Sequence, residues 1–400
     1  MQRRDIIIIG AGPAGLSTAL HLARDFPHLA SRILILDKAR HPRPKLCAGG
    51  LVPDVDIILN RLGLDSSEVP HVNAASAHFD FAGKGLDFKI PKRHAIRVIR
   101  RDEFDGWLAN KTKLRGIEIR EGVAVKDVRP DAEGVTIAAE TGEFRAQVVV
   151  GADGSKGVTR GCVLPGEPIR MARVLEALAP AGQPGEAQIP NVRHKANEAY
   201  FDFLPVPLGI DGYVWDFPTQ VKGRPMRCWG VYDANLNPNG GKPPLKATLA
   251  EEMSRHGFNL DDHRLEGHPI RWFEPGTKMS VPRVLLAGDA AGADSLFGEG
   301  ISPALGYGAL AAREIGEAFE RGEFSFRGYG RRVARSGLGQ TLTARWLLAQ
   351  IALQIRQRWF QNFFWRYMQP VTRAVIWIFI LYWSRRLPKP RQADMPAHQS

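Results

Sequence analysis

Gly10, Gly12 and Gly15, spaced as Gly-x-Gly-x-x-Gly, follow directly on the apolar run Ile6-Ile7-Ile8-Ile9 and lead into a stretch with helical periodicity. That spacing suits a phosphate. The first glycine permits a tight turn, Gly12 lets the backbone approach a pyrophosphate, and Gly15 allows close packing of helix on strand. The helix start, Ala14 included, adds unpaired N–H groups and the positive end of its dipole. A second apolar strand at 33–36 ends at Asp37, an acid placed to hold ribose hydroxyls. Strand, glycines, helix, strand and acid arrive in the order of a dinucleotide-binding βαβ unit, which an isolated glycine-rich turn does not explain. Two later strands also end at Gly-Asp motifs. One, at 144–150, runs into Gly151-Ala152-Asp153-Gly154; the other, at 281–287, runs into Gly288-Asp289-Ala290-Ala291-Gly292. Ligands of open parallel sheets bind at strand C-termini, so both ends are expected to share the nucleotide site.

Four consecutive isoleucines suit a strand covered on both faces, hence an α/β fold with a parallel sheet. A Pro-rich link at 41–44 leads to Lys45-Leu46-Cys47-Ala48-Gly49-Gly50, where the glycine pair reads either as an ordinary turn or as close backbone approach to a ligand. Residues 98–110 read as a strand end and a helix, and 117–128 and 134–139 as strands. Ser302-Pro303 is expected to cap a helix with Leu305, Ala309, Ala312 and Ile315 facing inward. Between about 165 and 280 the pattern changes to alternation at 198–204, 212–217 and 226–232, rich in aromatics. This predicts a second, antiparallel sheet with one face towards a pocket. Tyr213, Trp215 and Phe217 share one face of a strand, as plain core or as a cavity wall, and Asp216 leaves on the opposite face as a solvated residue. The expected organisation is a nucleotide domain at 1–165 and 280–323 and an inserted α+β substrate domain at 166–279. Part of 65–95 is a candidate addition to the latter, and a helical region follows at 324–400.

Four hundred residues, 44% of them hydrophobic, are ample for two or three domains and exclude a disordered chain. Cys47, Cys162 and Cys228 form no CxxC, too few for a cubane cluster and not spaced for a zinc site, so no metal is expected. They fit a reducing cytoplasm, and the four apolar residues after Gln2-Arg3-Arg4 are too few for a signal peptide. The net charge of +12 is unevenly placed: residues 324–393 hold thirteen Arg or Lys and no acid, leaving 41 charges of each sign in 1–323. The same segment carries five of the nine tryptophans. It calls for an anionic, amphipathic partner. The apolar run at 374–383 would span roughly 15 Å as a helix, half of a bilayer core, so it does not cross a membrane. Arg373 and Arg385-Arg386 bracket it. Leu347, Leu348, Ile351, Ile355, Trp359, Phe363 and Phe364 make an apolar face upstream, split off by Pro370. The segment through residue 391 reads as a monotopic anchor on an anionic membrane surface, at the cytoplasmic face, or else as a helical lid over the substrate domain. A neutral body and an apolar run argue against nucleic acid as its partner.

Taken together, the opening GAGPAG unit, Arg101-x-x-Phe104-Asp105, GADG at 151–154 and GDAAG at 288–292 resemble the FAD-dependent oxidoreductases shaped like para-hydroxybenzoate hydroxylase. Lys45-x-Cys47-x-Gly49-Gly50, the Gly212-Tyr213-Val214-Trp215-Asp216-Phe217-Pro218 strand and Gly298-Glu299-Gly300-Ile301 are similar to the geranylgeranyl reductase family, which saturates isolated double bonds of polyprenyl chains. The resemblance implies a Rossmann-like domain holding FAD, with its diphosphate at Gly10, Gly12, Ala14 and Gly15 and its adenosine ribose at Asp37. Cys47, Ala48 and Gly50 would flank the flavin, Arg101 contact it, Ala124 stand on the adenine side, and Asp153 and Asp289 border the site. Gly300 and Ile301 would offer N–H groups to the pyrimidine edge, where a reduced flavin is anionic. Tyr213, Trp215 and Phe217 would wall the isoprenoid substrate. The residues reveal no general acid; Cys47 is the ionisable side chain expected nearest the flavin, as a catalytic group or a small apolar one. NADPH, ferredoxin and a quinol all stand as electron donors. The rival activity is aromatic monooxygenation with NADPH and oxygen; a halogenase is disfavoured because WxWxIP is not matched.

Overall fold

The isoleucine run lies at the centre of a mainly parallel sheet in the computed structural model, which describes residues 1–181 and 197–391. Strand Gln2–Ile9 pairs in parallel with Ile33–Asp37 on one side and Gly142–Gly151 on the other, in the registers Ile6↔Ile33 and Ile6↔Val148. Alternation sends Ile6 and Ile8 to one face, against Leu16 and Leu20 of helix Pro13–Asp25, and Ile7 and Ile9 to the other, against Val128 and Ile137 of a covering hairpin. Every position of the run is therefore buried. Gly10 closes the strand at φ +108°, where a Cβ would stand 2.3 Å from Ala152 O.

The strand expected at 281–287 is instead a hairpin, Ser280–Val281 against Val284–Leu286. Pro282 has no N–H for a ladder and Arg283 adopts φ +68°, which turns the chain. Ser302-Pro303 does not cap the next helix either. Helix Ile301–Arg321 starts one residue earlier with Gly300 at the N-cap, and the Glu299 carboxylate accepts the Ser302 N–H at 2.8 Å and its hydroxyl at 2.7 Å.

A second sheet, seven-stranded among the described residues, runs in the order Leu265–Arg271, Met171–Pro180, Arg224–Asp233, Gly212–Val221, Glu198–Asp202, Ser76–Phe81, Lys84–Phe88. It is antiparallel except where Glu198–Asp202 meets Ser76–Phe81 in parallel, which brings two strands from the 65–95 stretch into it. Asp216 is not solvated: it is fully buried in a bidentate pair with Arg227, at 2.7 and 2.6 Å.

The C-terminal region is helical at Tyr329–Arg335, Gly337–Ala352, Arg358–Tyr367 and Gln369–Val375, with Pro370 in the first turn of the last. The apolar run at 374–383 is not one helix. A π-turn at Ile376–Ile380 ends it, Tyr382 sits at φ +61°, and Trp383 is fully buried against Gly306. Asp54 accepts the Tyr382 and Ser384 N–H groups, both at 2.7 Å, which ties this end to the body. Nor do all the segment's cations face outward. Arg332 pairs with Glu314 and Glu317, Arg345 with Asp294 and Glu299, Arg356 with Asp211 and Arg391 with Glu320. Among the described residues no helix is long and apolar enough to cross a membrane.

Candidate active site

One cavity of about 750 Å³ runs from the glycine fingerprint to the C-terminal region. Gly10, Gly12, Ala14 and Asp37 line its first end; Gly15 lies just behind, where a Cβ would meet Gly10 O at 2.0 Å. Asp37 accepts the Ala11 N–H at 2.6 Å and the Ala39 N–H at 2.8 Å, which fixes its carboxylate at the cavity edge. Ala124 is not in the wall. Its neighbours Val123 and Val125 are, while its carbonyl accepts the Glu140 N–H.

The middle of the cavity collects Cys47, Ala48, Gly50, Arg101, Asp153, Asp289, Gly300 and Ile301. Arg101 is gripped by Asp105 at 2.9 and 2.8 Å, and Arg43 reaches the same carboxylate at 3.2 Å. Burial pushes the Cys47 thiol up, so it stays neutral; its sulfur accepts the Gly49 N–H at 3.4 Å. Asp153 accepts the Thr159 N–H and hydroxyl on one oxygen, both at 2.9 Å, and leaves Oδ1 buried with no partner among the described residues. Burial pushes that carboxyl up as well. Lys45 Nζ lies 2.7 Å from His268 Nε2. Burial lowers Lys45, and burial with the Lys45 charge lowers His268 to about 4, which leaves the imidazole neutral as an acceptor.

The far end is aromatic and apolar. Tyr213, Trp215 and Phe217 all face it with Phe79, Phe201 and Phe297, and it is closed by Ile376, Ile380 and Leu381 of the C-terminal region. Tyr213 donates to Phe297 O at 2.6 Å, which locks its ring in the wall. Away from the cavity, His78, Asp87 and Glu198 bring ligand-type atoms within 4.8 Å of one another. His78 bonds Asp87 at 2.6 Å and Ser76 bonds Glu198 at 2.9 Å, hydrogen bonds that tie the sheet.

Residues 3–200 match the family model described as "FAD binding domain". Several relatives are named digeranylgeranylglycerophospholipid reductase; number 2 of Methanopyrus kandleri is 26% identical over 335 residues, 80% of this chain and 79% of that one. Rifampicin monooxygenase of Streptomyces venezuelae is 28% identical over 301 residues, 72% of this chain and 58% of that one. Among solved structures, a geranylgeranyl bacteriochlorophyll reductase-like protein of Thermoplasma acidophilum has the same fold, with TM-score 0.67 and 20% identity over 93% of this chain and 98% of that one. The chain is an FAD-dependent oxidoreductase, similar to geranylgeranyl reductase-like proteins.

The residues of this oxidoreductase fit FAD. The fingerprint glycines leave backbone bare at the end of the first strand, and the Arg43 guanidinium stands 3.5 Å from where a Gly12 Cβ would be, a cation beside the cradle. The unpartnered Asp153 Oδ1 and the anchored Asp37 offer acceptors to hydroxyls. Glu176 and Arg345 are among the lining residues that the sequence motifs do not mark. Glu176 lies in a strand, Met171–Pro180, whose Val174, Glu176, Leu178 alternation carried the signal. Arg345 reaches the cavity from the C-terminal region, and nothing in its sequence neighbourhood marks it.

Proposed function

We propose that this oxidoreductase saturates carbon–carbon double bonds of a polyprenyl chain in a membrane lipid, quinone or pigment precursor. The observation that carries the reading is the continuity of the cavity: a nucleotide end merges into an aromatic end that offers a flexible hydrocarbon area but few hydrogen bonds. The relatives named as lipid reductases support it. Bound FAD in its reduced form supplies a hydride. In this reading, Gly10, Gly12, Ala14 and Gly15 seat the diphosphate and Asp37 the ribose. Arg101, Cys47, Ala48, Gly50, Asp153, Asp289, Gly300 and Ile301 surround the remainder. The aromatic wall of Tyr213, Trp215 and Phe217 holds the alkene in place and excludes water, so that orientation supplies much of the rate. Incubated anaerobically with a geranylgeranyl lipid, the reduced enzyme is expected to yield products heavier by pairs of hydrogens, read by mass spectrometry. No change until oxygen is admitted, followed by gain of one oxygen atom, would establish the monooxygenase instead. Repeating the incubation with NADPH, reduced ferredoxin or a quinol in turn identifies the electron donor.

The same segment that closes the cavity is read as the membrane contact. One side of helix Arg358–Tyr367 packs on the second sheet through Trp365, stacked with Phe79 and tilted against Phe203. The other side shows Trp359 at 70% exposure and Phe363 at 47%, with Ile351, Val371, Ile378 and Phe379 exposed nearby. A cluster of this kind fits an apolar partner. Arg358, Arg366 and Arg373 are exposed beside it, and each contributes about 1 kcal/mol near anionic lipid. Lid and anchor are thus two faces of one segment. The intact chain is expected to sediment with anionic vesicles, and the double change Trp359→Glu, Ile378→Glu to leave most of it in the supernatant. Equal pelleting of both proteins would sink the anchor. Truncation is a poorer test, because it also removes Arg345 and Trp383 from the core.

A further inference from the structure

Saturating an alkene adds a hydride and a proton, and the reductase reading leaves the proton without a source. The cavity face of the second sheet supplies one. Strand register aligns Glu266, Glu176, Gly230 and Trp215 in one row and His268, Val174, Tyr232 and Tyr213 in the next. Residues two apart on a strand share a face, so both rows look the same way, into the cavity. A Cβ on Gly230 would stand 2.1 Å from Trp215 Cζ2; the bare strand therefore lets the indole lie across it within the row that Glu176 occupies.

Glu176 is 5% exposed, and its Oε2 is buried with no hydrogen-bond partner among the described residues. A buried carboxyl oxygen left unpaired is costly to a fold and suits a group whose partner arrives with the substrate. Its row continues outward to Glu266, which is exposed and pairs with Arg264 at 3.0 Å. We propose that Glu176 is the proton donor of the reduction, recharged from solvent by way of Glu266. The proposal rests on the reductase reading. The Glu176 O–H bond and the alkene π bond break as one C–H bond forms; the second C–H bond takes the hydride pair from reduced flavin, which is left oxidised. Solvent then returns the proton.

The surroundings suit the task. Burial pushes the Glu176 carboxyl up to about 7; Arg100, the Cys228 thiol and the Cys47 backbone N–H oppose that, and the Glu266 charge reinforces it. His268 faces the same cavity from the next row as a neutral ring. A group poised near neutrality transfers protons in both directions. The donor is the acid form, present below about pH 7, so turnover falls as pH rises through that value. Cys47 is the alternative acid of this wall, but burial raises its thiol and makes it the weaker one.

Glu176→Gln keeps the shape and removes the proton. The variant is expected to bind FAD as the wild type does, by absorbance titration, and to reduce a geranylgeranyl lipid at least about 100-fold more slowly in anaerobic single turnover. Its rate is expected to be flat with pH, where the wild type declines above neutrality. With 13C-glutamate-labelled holoenzyme and no substrate, one carboxyl NMR resonance is expected to titrate near neutrality and to vanish in Glu176→Gln; Glu176→Asp repeats the comparison if the glutamine variant takes up no FAD. A vanished resonance that titrated in the ordinary carboxylate range overturns the proposal. So does a Glu176→Gln rate within threefold of wild type on the same pH profile. A wild-type enzyme that shows the neutral titration yet saturates no polyprenyl alkene sinks the reductase reading, and the donor role with it.

Discussion

Arg345→Ala is expected to destabilise the folded protein by about 3–5 kcal/mol, the cost of leaving buried charge uncompensated. The guanidinium is 1% exposed, bonds Asp294 at 3.0 Å and Glu299 at 3.1 Å, and donates to Ile380 O at 2.8 Å. Asp294 is fully buried and also accepts the Leu296 N–H at 2.7 Å, while Glu299 caps the helix that begins at Ile301. Without the arginine, two carboxylates share an interior with no counter-charge. Burial already pushes the Glu299 carboxyl up, with the Arg345 charge as the largest opposing influence. Urea denaturation of the FAD-loaded protein measures the loss. The triple change Arg345→Met, Asp294→Asn, Glu299→Gln is expected to recover much of it, since apolar and neutral replacements of a buried ionic cluster cost little. A single-variant loss below about 1 kcal/mol, the size of an exposed pair, would show the cluster to be solvated. Because Arg345 holds the 376–380 turn to the Gly298–Ile301 loop, its removal is also expected to lower turnover even where the protein stays folded.

The second large effect is expected at Gly15→Ala. The added methyl would stand 2.0 Å from Gly10 O and 3.0 Å from Ile8 Cγ2, one a backbone atom and the other a fully buried side chain. Neither can withdraw, so helix Pro13–Asp25 must move off the strand, at a cost of about 1–3 kcal/mol in strain. The movement carries the helix start away from the cradle that Gly10 and Gly12 form. FAD affinity is expected to fall by about 100-fold, equivalent to about 2.8 kcal/mol. Flavin fluorescence titration of the apoprotein measures it, and wild-type affinity in the variant would show that the diphosphate does not depend on this approach.

Local chemistry made the first half of the site legible. A strand buried on both faces, glycines at fixed spacing and an acid at the end of the next strand are all decided within 33 residues of one another. The motif strands at 144–150 and 212–217 were also legible, because period-2 alternation and a Gly-Asp ending are written in consecutive residues. Asp216 was misread for a related reason. Alternation puts it on the face opposite Trp215, but only the neighbouring strand shows that Arg227 waits there to pair with it. The 281–287 strand was misread because an apolar run conceals a turn when a proline and a positive-φ residue sit in its middle.

The sequence by itself determined the nucleotide-binding unit and the unusual charge of residues 324–393, since each is written in residue types close together in the chain, while the FAD-dependent class came from the resemblance of its motifs to a known family. Tertiary structure alone decided what those last residues do. It buries Arg345 against Asp294 and Glu299, seats Trp383 on Gly306, and turns Ile376, Ile380 and Leu381 into a wall of the cavity while Trp377, Ile378 and Phe379 face outward. It likewise brings Glu176 beside Trp215, which lies 39 residues further along the chain, across Gly230 on the strand between them. Partners that distant are chosen by strand register and buried charge, interactions that exist only once the sheets have formed.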